Sequence, residues 1–282
     1  MRCDCHMHMI LDGKDWKAAI ARHADRADLS FIQACLAAYR DAGYTYLRDG
    51  GDRWGAGKAA RDLAPAYGIR YRTPLAPLCM DGHYGGFIGR RFSHIRQYHQ
   101  LVLEQKQQGA DFIKIMISGL MDFDYFGTLS EEPLPPALIH QMIHIAHEEG
   151  MAVMAHANGA RTVQAAAEAG VDSIEHGAYL DEAALSAMAA SGTVWVPTLS
   201  AIGNLLHTGR FDDNAVQKIL DSALTNISTF AAMGGLLAQG SDAGAWAVPH
   251  GSLSELHWLQ QALGKNTDAM IEKGNARIRE IF

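Results

Sequence analysis

Short apolar segments alternate with longer amphipathic segments along the whole chain, a pattern typical of repeated βα units. Helices are predicted between the apolar segments, as in LIHQMIHIAHEEG (residues 138–150), where apolar residues recur at helical spacing before Gly150. Eight strands are predicted, at residues 2–9, 44–49, 69–76, 111–118, 151–156, 172–176, 193–199 and 236–241. The predicted fold class is therefore α/β, and eight such units make a TIM (β/α)8 barrel.

The length and composition of the chain fit this architecture. A chain of 282 residues, 48% of them hydrophobic, suffices for one large core, and no linker, charge block or repeat interrupts it. We therefore predict a single domain over residues 1–282. The net charge of -7 leaves no basic surface for nucleic acid. No signal peptide and no apolar run of about 18 residues is found, so we expect a cytoplasmic protein without a membrane partner.

The cysteines do not indicate a disulfide framework. The four cysteines are Cys3, Cys5, Cys35 and Cys79, and the first two are too close in sequence for an ordinary disulfide. No CxxC pair suggests a zinc site. Free and mostly buried thiols are therefore predicted.

The first predicted strand carries the clearest chemical signal in a chain with 14 histidines. Because side chains alternate between the two faces of a strand, its residues separate into two sets. One face carries Cys3, Cys5, Met7 and Met9, and the other carries Asp4, His6, His8 and Ile10. Two imidazoles at positions i and i+2 suit a divalent metal, although an isolated HxH motif also occurs by chance.

Lys114 lies in ADFIKIMISG, a segment that has the pattern of a fully buried strand. An unpaired ammonium group there would be strongly disfavoured by desolvation. Two interpretations stay open. The lysine forms a buried ion pair with a carboxylate such as Asp4 or Asp242, or its amine has a lowered pKa and has added carbon dioxide to become a carbamate that bridges two metals.

Three further strand ends each supply one ligand-type residue: His156 in VMAHANG, His176 in SIEHG and Asp242 in AQGSDAG. Any one of them alone could be a hydrogen-bonded core residue. Together with the first strand and Lys114 they place six such residues at the ends of five strands. Convergence at the C-terminal mouth of a barrel explains this distribution.

The order HxH, buried Lys, His, His, Asp resembles the binuclear amidohydrolase superfamily. The segments GADFIKIMISG, AHANG, AGVDSIEHG, VPTLS and GSDAG followed by HGSLSEL are similar to its imidazolonepropionase-like and zinc-dependent prolidase branch, from residue 2 to about 263. Members of that branch usually add a small β-sandwich from both chain ends. Here the first strand begins at residue 2 and the ending IEKGNARIREIF resembles the last helix of barrel-only members, so a barrel without the sandwich is expected.

The resemblance implies a role for each ligand-type residue. His6, His8 and Asp242 would bind one metal, His156 and His176 the second, and carboxylated Lys114 would bridge them. Two divalent ions are expected, zinc first, with manganese, cobalt or iron as alternatives. A metal-bridging hydroxide would be the nucleophile. Asp242 would accept its proton and pass it to the leaving nitrogen, and His176 and Lys114 complete the implied catalytic set.

Substrate contacts are predicted in loops that overhang the mouth of the barrel. The candidates are His83, Tyr84, Arg90, Arg91, Tyr125 and His250. The first four lie in or beside the Gly-rich segment 77–92 and could clamp a free carboxylate of the substrate. Arg48 and Asp49 match an Arg-Asp pair that the family has at the end of the second strand. Solvated or packing roles are the alternative for this whole group.

The predicted function is a metal-dependent amidohydrolase that cleaves an amide or peptide bond of a small molecule, such as a dipeptide or an N-acyl amino acid. Three alternatives stay open: a lactonase or esterase with the same binuclear site, a mononuclear deaminase, and a non-catalytic metal-binding protein. The expected partner is the small-molecule substrate, and a homo-oligomer is left open.

Overall fold

Strands and helices alternate along the chain in the computed structural model, which describes residues 2–282. The strands are β1 (Arg2–Met7), β2 (Tyr44–Asp49), β3 (Arg70–Arg72), β4 (Leu78–Met80), β5 (Arg90–Phe92), β6 (Ile113–Met116), β7 (Val153–Ala157), β8 (Ser173–His176), β9 (Val194–Val196) and β10 (Leu236–Leu237). The helices are α1 (Trp16–Arg22), α2 (Leu29–Asp41), α3 (Ala56–Leu63), α4 (Ile95–Gln107), α5 (Pro136–Glu148), α6 (Ala160–Glu168), α7 (Glu182–Ser191), α8 (Ser200–Gly203), α9 (Asp213–Ala232), α10 (Ser254–Leu263) and α11 (Thr267–Ile281). Each predicted strand range contains a strand, which confirms the α/β class.

All strand pairs are parallel and form two sheets, in the orders β1-β2-β3 and β10-β9-β8-β7-β6-β4-β5. Backbone hydrogen bonds join the sheets at both sides. On one side Cys5 N donates to Gln239 O at 2.8 Å, and Asp242 N donates to His6 O at 2.7 Å. On the other side Asp111 N donates to Thr73 O at 3.0 Å. The C-terminal ends of the parallel strands therefore lie on the same side of the molecule.

Helices cover the outer faces of the strands, so the strands are buried on both faces. Residues of β6, β7, β8 and β9 are buried throughout, and their apolar side chains pack with α4, α5, α6, α7 and α9. α11 lies so close to β10 that a Cβ added at Gly274 would be 2.0 Å from Leu237 O. This close packing holds the last strand next to β1, where the predicted ligands begin.

Several predicted boundaries shift in the structure, each for a local reason. The predicted strand 69–76 ends at Arg72, because Pro74 lacks an N–H and Leu75 has a φ of 66°. The predicted strand 236–241 ends at Leu237. The Gly-rich segment 77–92, in which loop contacts to the substrate were predicted, contains the short strands β4 and β5.

The predicted helices and cysteines agree with the structure. α5 ends just before Gly150, whose φ of 72° terminates the helix as predicted. All four cysteines are buried, and Cys5, Cys35 and Cys79 carry free thiols. Among residues 2–282, no helix has the length and apolar composition needed to cross a membrane.

Candidate metal centre

Three ligand-type atoms meet where β1 and the segment after β10 lie side by side. His6 Nε2 is 3.3 Å from His8 Nε2, and Asp242 Oδ1 is 3.5 Å and 3.4 Å from these two atoms. The alternation of β1 puts both imidazoles on one face. A parallel bridge between Met7 and Ala243 brings in Asp242, whose φ of 57° turns its side chain toward them. Two imidazoles and a carboxylate at these distances can hold a divalent cation.

His156 and His176 lie beside this group at the ends of β7 and β8. Their ring centres are 4.6 Å apart, and the His176 ring is 4.9 Å from that of His6. His156 Nε2 faces Gly119 O at 3.2 Å, and His176 Nδ1 faces the Thr198 hydroxyl at 2.7 Å. Each contact uses one ring nitrogen, so Nδ1 of His156 and Nε2 of His176 are the atoms that could bind a second cation.

Lys114 is completely buried in β6, and its Nζ has no hydrogen-bond partner among residues 2–282. Burial lowers the pKa of this amine to about 8. The structure does not form the expected ion pair as a direct contact, because Nζ has no hydrogen-bonded carboxylate among the described residues, although the charges of Glu175 and Asp242 act on the amine. Asp4 instead accepts hydrogen bonds from Ser241 N at 2.9 Å and from the Ser241 hydroxyl at 2.6 Å. Burying an amine without a hydrogen-bond partner is costly, so this amine favours a bound non-protein group that supplies the missing contact.

Burial dominates the electrostatics of the cluster. It lowers the pKa of His8 and of His156 to about 3, and it lowers that of His6 and His176 well below the usual value. Neutral imidazole is the form that binds metals, so these rings are ready ligands. Burial also raises the pKa of Asp242 to about 8. A nearby dication would favour the carboxylate, and the donor set therefore fits divalent metal.

Glu175 and Arg48 hold the first histidine in place. His6 Nδ1 contacts Glu175 Oε2 at 2.7 Å, and Arg48 Nη2 donates to Glu175 Oε1 at 2.7 Å. Arg48 also donates to Cys5 O at 2.7 Å and stacks on Phe282 at 4.4 Å. Sequence reasoning matched Arg48 to the family but missed Glu175. The available signal was a carboxylate next to His176 in a predicted barrel strand, which is buried on both faces and therefore requires a partner for the charge.

Asp49, the second residue of the matched Arg-Asp pair, does not contact Glu175 as Arg48 does. It accepts hydrogen bonds from Thr73 Oγ1 at 3.1 Å and from Met9 N at 3.2 Å. Burial raises the pKa of its carboxyl group to about 7. Asp49 thus fixes the backbone that leaves β1 just after His8.

Two predicted substrate contacts, His83 and Tyr84, lie at the mouth of the site. Glu131 accepts from Tyr84 N at 2.9 Å and contacts His83 Nδ1 at 3.3 Å. The Tyr84 ring centre is 4.8 Å from that of His156. Burial, and after it the charge of Asp242, raises the pKa of the Tyr84 hydroxyl above its usual value. Tyr84 therefore covers the candidate metal centre from the loop before β5.

Of the other four predicted contacts, Arg90, Arg91 and Tyr125 are not brought together there, whereas His250 lies close enough for its charge to act, after burial, on the pKa of His8. β5 pairs with the outer edge of β4, so Arg90 donates to Glu104 of α4 at 2.6 Å. Arg91 lies 3.8 Å from Asp81 and donates to Gly86 O at 3.4 Å. Tyr125 is 70% exposed. His250 contacts Leu11 O at 2.9 Å and Tyr39 Oη at 3.3 Å. The expected clamp of two arginines is thus corrected: both guanidinium groups pair on the protein surface.

Comparisons with known proteins place this geometry in context. A sequence model of the Amidohydrolase family matches residues 30–273. Ochratoxinase from Aspergillus niger is 25% identical over 245 residues, which cover 71% of this chain and 47% of the ochratoxinase. The chain thus spans about half the length of that curated relative.

Two solved structures share the fold. A Xaa-Pro dipeptidase with methionine bound in its active site is 21% identical, with a TM-score of 0.79 over 99% of this chain and 75% of that one. A prolidase complexed with N-methylphosphonate-L-proline is 24% identical, with a TM-score of 0.74 over 99% of this chain and 73% of that one.

Proposed function

The chain belongs to the amidohydrolase family, and on that premise we propose that it is a metal-dependent hydrolase of an amide or peptide bond in a small molecule. The observation that carries this proposal is the cluster of His6, His8 and Asp242 next to the unpartnered amine of Lys114. In this proposal the two sheets form one TIM barrel, a closure supported by the backbone hydrogen bonds at both of their sides. The cluster then occupies the C-terminal mouth of that barrel.

Two divalent cations would be held by these residues. His6, His8 and Asp242 would bind one, and His156 and His176 the second. The neutral amine of Lys114 would attack the carbon of carbon dioxide, form an N–C bond and release a proton, which yields a carbamate anion between the two cations. Cations bound there would polarise the scissile carbonyl group and lower the pKa of water toward about 7.

Side chains around the cations would orient the ligands and move the proton. Glu175 fixes the ring of His6 at 2.7 Å, and Thr198 fixes that of His176 at 2.7 Å. Asp242 would accept the proton of the attacking water and donate it to the leaving nitrogen. Tyr84, stacked over His156, would exclude water from that side of the substrate.

Dipeptides and N-acyl amino acids are the proposed substrates. The relatives support this class, since one is named an ochratoxinase, one is a Xaa-Pro dipeptidase with bound methionine, and one is a prolidase with a proline-containing phosphonate. A mouth that carries an imidazole and a phenol, at His83 and Tyr84, can hydrogen-bond such polar molecules.

The test is a hydrolysis screen of the purified protein with zinc, cobalt or manganese added. We expect dipeptides or N-acyl amino acids to be cleaved and lactones to be cleaved poorly. Cleavage of lactones alone would favour the esterase alternative. Two bound ions without turnover of any compound would favour the non-catalytic one, and either result would overturn the proposal.

A further inference from the structure

Arg210, in the segment after α8, lies against two aromatic rings. Its guanidinium carbon is 4.2 Å from the centre of the Trp246 ring and 5.4 Å from that of the Phe211 ring. Phe211 also contacts Phe123, with ring centres 5.3 Å apart, and the Trp246 ring at 6.4 Å. We call Phe123, Phe211 and Trp246 the aromatic platform. It combines a large apolar surface with one cation.

The aromatic platform belongs to the loops that carry the candidate metal ligands. Trp246 lies four residues after Asp242, and Ala245 N donates to Asp242 O at 2.9 Å, which ties the two together. Phe123 lies in the segment after β6, the strand of Lys114. That same segment presents Gly119 O to His156. The platform therefore lies at the rim of the proposed site.

A second contact connects the Arg210 segment to this rim. Asp212 N donates to Asp124 Oδ1 at 3.1 Å, next to the pair of Phe211 and Phe123. Asp212 also begins α9, because its own carboxylate caps the first turn of that helix. Arg210 is thus anchored on both sides rather than placed in a free loop.

The charge of Arg210 has no partner among residues 2–282. No carboxylate of the described chain lies within 4.0 Å of its guanidinium, whereas Arg90 and Arg91 pair with Glu104 and Asp81. Two rings restrict the orientation of the guanidinium plane, and its N–H edge stays available. A planar guanidinium matches a carboxylate with two hydrogen bonds, so less entropy is lost when such an anion binds here.

We propose that Arg210 binds a free carboxylate of the substrate while the aromatic platform packs against an adjacent apolar or aromatic side chain. This inference rests on the proposed function and names its substrate class: N-acyl amino acids and dipeptides that end in a large apolar residue. It assigns to Arg210 the carboxylate contact that the sequence suggested for Arg90 and Arg91.

The test compares N-acetyl-L-phenylalanine with its methyl ester in the metal-loaded protein. Arg210→Ala should lower kcat/KM for the free acid about 10- to 100-fold, mainly through KM, because a charged hydrogen-bonded contact is lost. Hydrolysis of the amide bond in the ester should change less than twofold. Arg210→Lys should retain part of the preference as a point charge. Arg96→Ala, which removes an exposed arginine of α4, is the matched control and should change neither substrate.

A binding measurement separates this inference from the proposed function. Titration with L-phenylalanine and with L-phenylalaninol, followed by tryptophan fluorescence, needs no turnover. We expect the wild type to prefer the acid and Arg210→Ala to lose that preference. Equal binding of both compounds by the wild type, or an unchanged preference in Arg210→Ala, overturns the inference while amide hydrolysis stands. Absence of turnover with the binding preference intact would overturn the proposed function alone.

Discussion

Buried polar side chains at the strand ends differ in whether the protein supplies their partner. His6 has Glu175 and His176 has Thr198, so the orientation of both rings is set before any ligand binds. Lys114 has none among residues 2–282, although it is as deeply buried. Leaving a buried polar group without a hydrogen bond is costly. The role of Lys114 should therefore depend most on a bound group such as the proposed carbamate.

Lys114→Ala should remove most activity and weaken binding of the second cation, because the proposed bridging anion is lost. Short carboxylates such as acetate should restore part of the turnover by taking its place. Turnover and metal content are measured with and without acetate. Lys106→Ala, at an exposed lysine of α4, is the control. Retention of more than half of the wild-type activity and both ions by Lys114→Ala would contradict the carbamate.

Asp242→Asn should lower kcat by about 10²- to 10⁴-fold, because an amide cannot accept and donate the proton. The substitution keeps the shape of the side chain, so the melting temperature should change little. Steady-state kinetics and thermal unfolding check both points. Asp81→Asn, at an exposed carboxylate of the mouth loop, should leave turnover unchanged. A variant with near wild-type kcat would move the acid/base role to another residue.

Glu175→Gln should lower the free energy of unfolding by about 3–5 kcal/mol, because it leaves the buried guanidinium of Arg48 without its counterion. The matched control is Glu104→Gln. Glu104 pairs with Arg90 at 2.6 Å, but both side chains remain partly exposed to water, so the loss of this pair should cost about 1 kcal/mol. Denaturant titration measures both. Equal costs for the two variants would mean that burial does not set the strength of the Glu175 pair.

Local backbone geometry at the element ends completes the site. His176, Thr198 and Asp242 have φ values of 68°, 52° and 57°, in the left-handed region that costs non-glycine residues about 1–3 kcal/mol each. His176 ends β8, while Thr198 and Asp242 lie in the segments that follow β9 and β10, and the turn at each position brings the side chain to the candidate metal centre. The strain is therefore concentrated where the proposed ligands and their supports lie.

The strands and the positions of the ligand-type residues on them were predictable because they follow from local patterns. Alternation along β1 places His6 and His8 on one face, and apolar runs mark the other strands. Contacts between residues far apart in the chain were not predictable from periodicity. The bond between Glu175 and Arg48 joins residues 127 positions apart, and the course of β5 toward α4 decides that Arg90 faces Glu104. Loop direction depends on such long-range packing rather than on local sequence.

The pair of His147 and Asp172 predicts a pH-dependent contact between α5 and the residue before β8. A hydrogen bond from His147 Nε2 to Asp172 at 2.8 Å raises the pKa of the imidazole above its usual value. A raised folded-state pKa means that the stabilisation is fully present below about pH 6.5 and is lost as the pH rises through the folded-state pKa. The difference in melting temperature between wild type and His147→Gln should thus be larger at low pH than at high pH.

Thermal unfolding of both proteins across that pH range checks this prediction. His144→Gln, on the same helix, is the control, since the pair of His144 with Glu148 is exposed on both sides and should contribute little. A difference for His147→Gln that grows with rising pH would have the wrong sign and would exclude the pair as its source.

At the scale of the whole molecule, the candidate metal centre joins elements that are far apart in the chain. Its residues come from β1, β6, β7, β8 and the segment after β10, and thus from both sheets. A cation bound there binds only the folded state, because the unfolded chain does not bring these ligands together. Metal binding should therefore stabilise the fold as a whole rather than one loop.

Removal of divalent ions should lower the melting temperature and abolish turnover together. A cation present at about 100 times its dissociation constant adds about 2.7 kcal/mol per site, which corresponds to a rise of about 5–10 °C for a chain of this size. Thermal unfolding is followed in chelator and during titration with zinc or manganese. His6→Ala should lose the rise, whereas His140→Ala, at an exposed histidine of α5, should keep it. Full activity in chelator, or an equal rise in His6→Ala, would show that the metal acts elsewhere in the molecule.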